Sequence, residues 1–110
     1  MINETLDKLE KNVNSNSEID NEQKEEFLGL LSKLKTEIIT IEESHRQDAH
    51  NIVNYTDSSF NVATKNDKNK DELERNLNTL TGSIEGFEAT HPKLVEIVNS
   101  VCTRLSTLGI

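Results

Sequence analysis

Two Glu-x-x-His pairs are the residues of this chain best typed and spaced for chemistry: Glu42 with His45, and Glu88 with His91. Residues three apart share a helix face, and two such pairs help to build the di-iron carboxylate sites of four-helix bundles. A complete site also needs a carboxylate from each of two further helices. Glu10 and Glu37 are candidates, but neither interrupts an apolar stripe as a buried ligand would. Pro92, directly after His91, puts the second pair at a helix end rather than in mid-bundle. Among 20 acidic residues such pairs also arise readily by chance. A small metal-binding bundle using Glu42, His45, Glu88 and His91 is therefore the alternative reading. The plainer one makes His91 a helix cap, leaves Glu42 and His45 in solvent, and expects neither metal nor cofactor.

Other reactive residues are isolated. His45 and His50 are five apart and point to different sides of a helix, a poor zinc pair. Cys102 is the only cysteine and lies beside an apolar stripe, the setting of a buried, inert thiol. Ser58 and Ser59 follow Asp57, but no histidine is placed to activate them. The four glycines are scattered and form no phosphate-binding loop. No catalytic residue is assigned, and an enzyme is not expected.

The elements that would position these residues are helical. Leu73, Leu77, Leu80, Ile84, Phe87, His91, Leu94, Val98, Val101, Leu105 and Leu108 alternate four and three apart. That is a heptad seam, apolar at every position but His91. Ile2, Leu6, Leu9 and Val13 form a narrow face that predicts a first helix over 2–13. The cluster Asn14-Ser15-Asn16-Ser17 then favours a turn. Asp20 and Gln23 have the spacing of a capping box, and Phe27, Leu31, Leu34, Ile38 and Ile41 continue as a stripe. Without Pro or Gly over 30–81, the pattern predicts one helix over 20–65, ~68 Å long at ~1.5 Å per residue. Its weak point is Tyr55–Ser59, a run of poor helix formers. Polar residues 65–70 read as a connector. A third helix is expected over 71–88, with Gly82 and Gly86 off the stripe, and a fourth over 92–108, stopped by Gly109. At Pro92 a kinked continuous helix competes with a sharp turn.

The tail carries a resemblance. Gly86-Phe87-Glu88-Ala89-Thr90-His91-Pro92-Lys93-Leu94, closing on Leu105-Ser106-Thr107-Leu108-Gly109-Ile110, resembles a family of short bacterial proteins filed as a domain of unknown function. Its members share a Phe-Glu-x-Ser/Thr-His-Pro-x-Leu motif and a hydrophobic-Gly-Ile end. The match covers mainly residues 73–110. The resemblance implies a small, helical, cytosolic protein, and supplies neither substrate nor catalytic residue.

Composition bounds the partners. Apolar residues make up 33% of the 110, below the usual ~45–50%, a count that includes Gly. So small a supply favours an elongated shape or a core shared between chains. The net charge is −8, with bases interspersed among acids, which disfavours nucleic acid and anionic membranes. No apolar run approaches the ~20 residues of a membrane span, and the N-terminus lacks a signal-peptide pattern. A cytoplasmic place is the default.

The expected fold is a single all-α domain over 1–110: an elongated helical hairpin or antiparallel bundle with coiled-coil-like heptad packing. The core and interface positions are Leu73, Leu77, Leu80, Ile84, Phe87, Leu94, Val98, Val101, Leu105 and Leu108. The heptads can close within one chain or pair across a two-fold axis, and a homodimer is favoured. The expected function is non-enzymatic, protein–protein interaction or scaffolding, with an unidentified protein as a further partner.

Overall fold

The N-terminal helix, α1, spans Ile2–Ser15 and buries Leu6, Leu9 and Val13 completely. It belongs to a computed structural model that describes residues 2–65 and 69–108. Past α1, Asn16 Oδ1 accepts the Glu18 N–H at 2.9 Å, the local side-chain turn that its sequence favours. Lys24 Nζ donates to the Asn14 carbonyl at 3.1 Å, placing a positive charge at the C-terminal end of α1.

Helix α2 spans Asn21–Glu42, and Asp20 caps it by accepting the Gln23 N–H at 2.8 Å. Its stripe Phe27, Leu31, Leu34, Ile38, Ile41 is buried. The chain then leaves the helix, and α3 runs over Arg46–Ala63. The single helix expected over 20–65 is thus two, broken at 43–45 rather than at Tyr55–Ser59. The reason is burial. A straight helix would string both apolar stripes along ~68 Å, whereas the longest other helix has 17 residues, ~26 Å, and could cover less than half. Turning at His45 lets the two stripes share one core, with Phe27 and Phe60 stacked at 5.5 Å. Two hydroxyls of the suspected weak point find partners with α3 intact. Thr56 Oγ1 donates to the Ile52 carbonyl at 2.7 Å, and Ser58 Oγ donates to Asn76 Oδ1 of the following helix at 3.1 Å.

That helix, α4, spans Lys70–Gly82, and Asn69 caps it by accepting the Glu72 N–H at 3.0 Å. It stops six residues before the expected 88. Residues 83–91 form a corner in which Ile84 and Phe87 are buried and Gly86 takes φ +97°. That is the left-handed region that favours glycine, so Gly86 belongs to a turn and not to a helix. Helix α5 spans Pro92–Leu108, with Pro92 at its first position. A sharp turn, not a kink, therefore separates the last two helices. Gly109, expected as the final stop, and 66–68 of the connector lie outside the described residues.

Among the described residues every regular element is an α-helix, and none is long and apolar enough to cross a membrane. The helices pack α1 on α2 and α3, α4 on α3 and α5, and α5 on α2 and α3. The extents of 37 × 26 × 22 Å and a radius of gyration of 13.1 Å match ordinary compact domains, ~13 Å at this length. The expected elongated hairpin is therefore folded up. Leu73, Leu80, Ile84, Phe87, Leu94, Val98, Val101 and Leu105 are buried within one chain, with Leu77 and Leu108 packed against them.

Candidate functional site

The histidines of the two Glu-x-x-His pairs converge on one aromatic ring, that of Phe87. His45 is the N-cap residue of α3, and its imidazole meets the Phe87 ring edge-on at 5.2 Å. His91 precedes Pro92, and its imidazole meets the same ring at 5.6 Å. Neither pair has the helical geometry that Glu-x-x-His chemistry needs. Glu42 is the last residue of α2, so its pair straddles a helix end. Glu88 and His91 lie in the corner between α4 and α5.

Of the acidic groups nearby, Glu88 is engaged in the corner and Asp48 lies beside His45. Glu88 Oε2 accepts the Gly86 N–H at 2.8 Å, holding the glycine turn. His91 Nδ1 lies 3.0 Å from Thr90 Oγ1, and His45 Nδ1 lies 3.8 Å from Asp48 Oδ2. Glu10 and Glu37, the further carboxylates considered, sit half-buried on α1 and α2. Among the described residues no three His, Cys, Asp or Glu side chains are grouped to hold a metal ion. The motif behind the family resemblance thus has a structural job. Phe87 and Leu94 fill the core, Glu88 braces the turn, and His91 with Pro92 starts α5.

Cys102, Ser58 and Ser59, the nucleophiles considered, have no imidazole beside them among the described contacts. Burial raises the pKa of the Cys102 thiol, opposed by the Thr81 hydroxyl 3.7 Å away, so the reactive thiolate is disfavoured. Ser58 is bonded to Asn76, and the Oγ of fully buried Ser59 has no hydrogen-bond partner. Burial also raises the carboxyl pKa of Asp57, opposed by Lys8, and its Oδ1 is buried without a partner.

Sequence reasoning missed the surface between α2 and α5. Lys33, Thr36 and Glu37 face Lys93, Glu96 and Ile97 across an open depression of about 390 Å³. Farther along, Glu26 and Leu30 face Ser100, Thr103 and Arg104 across one of about 540 Å³. Leu30 and Ile97 are half-buried, and Arg104 Nη1 pairs with Glu26 Oε2. A signal was present in the spacing. Glu26, Leu30, Lys33, Glu37 and Lys93, Ile97, Ser100, Arg104 each advance by four, three and four. Each is a complete outward stripe beside the buried one, but its charges make it look like ordinary solvated surface.

No family model matches the chain, and neither the curated proteins nor the solved structures contain a match to it.

Proposed function

We propose that this chain is a non-enzymatic interaction or scaffolding protein that presents the α2–α5 face to other protein surfaces. The groove itself carries this reading: two helix stripes, each with one half-buried aliphatic residue set among charges of both signs. A polar rim around a small apolar centre is the usual anatomy of a protein contact. The disposition of the reactive groups supports it, since the best-spaced acid and imidazole groups lie at helix boundaries and in the 83–91 corner rather than along one buried helix face. Interspersed bases and a single cysteine support a cytoplasmic setting without nucleic acid or membrane as partner.

Site-specific photo-crosslinking tests the reading. A crosslinker replacing Ile97, used in cells that make the protein, should yield protein adducts. One replacing exposed Arg75 on α4 should yield few. Equal yields from the two positions, or none from either, would refute an interaction face between α2 and α5.

A further inference from the structure

We infer that a second copy of this chain docks on the α2–α5 face, about a two-fold axis parallel to the two helices. The inference rests on the interaction reading above and names the occupant and its geometry. The heptad seam suggests self-pairing, but that seam is filled within one chain. Any self-association must use an outer surface.

Charge selects this one. The groove linings show that α2 and α5 run antiparallel, with charged residues at matched levels. The Glu26–Arg104 ion pair sets the register, and counting along the antiparallel helices from it brings Glu37 level with Lys93 and Lys33 within one residue of Glu96. At each of the three levels the signs are opposite. A two-fold axis along the helices lays α2 of one copy on α5 of the other without changing levels. Glu37 then meets Lys93 of the second copy, Lys33 meets Glu96, and Glu26 meets Arg104. Each contact occurs twice, as two-fold symmetry requires. Leu30 and Ile97 of both copies fall near the centre, beside the small residue Ser100.

The competing axis lies in the same plane but across the helices. Such an axis reverses the levels, so it pairs opposite charges at two of the three at most, Glu37 with Lys33 or Lys33 with Glu26, and centred midway it sets Glu37 on Glu26 and Lys93 on Arg104. Only the axis along the helices matches opposite signs at all three levels. The product is a four-helix bundle in which the α2–α5 pair of one copy stacks on that of the other.

Size sets the strength. Two helices ~26 Å long and ~20 Å wide together cover ~520 Å² per copy, or ~1,000 Å² in all, near the lower end for specific contacts. The dimer should therefore depend on concentration and weaken with salt, because its rim charges are solvated.

The test is a charge exchange read by light scattering on a sizing column, from about 5 µM to 1 mM. The wild type should rise from 12.4 kDa toward twice that mass. Lys93→Glu alone sets Glu against Glu twice per dimer, and Glu37→Lys alone sets Lys against Lys. Each should weaken dimerisation about tenfold or more. An equimolar mixture of the two variants restores both contacts and should recover the dimer. Recovery depends on the pairing of two chains, so it separates the interface from any change in folding of either variant. Far-ultraviolet circular dichroism checks that each variant folds.

A mass of one chain throughout would overturn self-docking. A dimer indifferent to both reversals, or a mixture that fails to recover, would overturn this face and axis. In any of these cases, crosslinks from position 97 to a different protein would leave the interaction reading standing, and their absence would remove it as well.

Discussion

Two glycine-to-alanine substitutions should change stability in opposite directions, for reasons that can be separated. At Gly86 an added Cβ would meet nothing within 4 Å, so the change carries no steric clash. What remains is the backbone, because φ is +97°. For an L-residue, a left-handed conformation costs ~1–2 kcal/mol, and +97° lies beyond the ordinary left-handed minimum near +57°. Gly86→Ala should therefore lose ~2 kcal/mol. At Gly29, within α2, an added Cβ also meets open space. There alanine restricts the unfolded chain and favours the helix, for a gain of ~0.5–1 kcal/mol. The two variants should thus differ by ~2.5–3 kcal/mol. At ~4–8 °C per kcal/mol for a domain of this size, their melting temperatures should differ by at least ~10 °C. Urea unfolding followed by circular dichroism gives the free energies, and an unchanged slope shows that both states are comparable. A neutral or stabilising Gly86→Ala would refute the assignment of 83–91 as a corner held by a glycine turn. It would favour the continuous helix over 71–88 that the heptads suggest.

Two further perturbations probe the core and its edge. Leu80 and Leu105 are completely buried, so Leu80→Asp or Leu105→Asp removes a core side chain, ~2–5 kcal/mol, and buries a carboxylate, several kcal/mol more. Against a typical total of ~5–15 kcal/mol the chain should unfold at low concentration, and a melting temperature within ~2 °C of wild type would contradict the described core. Asp57 predicts a pH dependence. Burial raises its carboxyl pKa in the folded state, so the folded protein holds this proton more tightly than the unfolded chain does. Its contribution is present below the unfolded value, ~3.9, and is lost as pH rises through the folded value. Asp57→Asn should consequently be more stable than wild type at pH 7, with the gain shrinking toward pH 3.5. Urea midpoints at the two pH values measure it, and a gain that grows on acidification would show the sign to be wrong.

The elements legible in the sequence are those set by local chemistry. Asp20 accepts the Gln23 N–H that their spacing predicts, and Pro92 opens α5 because a first-turn N–H has no helical partner to lose. Stripes at four-three spacing marked buried faces in the same way. The break at 43–45 was not legible, because no glycine or proline marks it. It follows from the lengths of the other helices, at most 17 residues, which are too short to cover one stripe of ~68 Å. The end of α4 was hidden for the opposite reason. Ile84 and Phe87 keep heptad phase into the corner, so apolar spacing there reports burial without reporting helix.

The same distinction separates the residues that looked chemical from those that have a surface to act on. Glu-x-x-His is a ligand pattern only while both residues ride one helix in the interior. Here α2 ends at Glu42, and 88–91 lies in a corner. Neither pair therefore rides one helix, and both imidazoles meet the ring of Phe87 at the edge of the core. The charges on α2 and α5 show the reverse. Singly, Lys33, Glu37, Lys93 and Glu96 are unremarkable solvated residues, and one exposed ion pair contributes at most ~1 kcal/mol. Once the fold aligns two antiparallel stripes, their signs alternate in a pattern that a two-fold axis along the helices matches at all three levels and one across them at two at most. Specificity of that kind resides in the register between helices, which is why composition, with its net charge of −8, gives no hint of it.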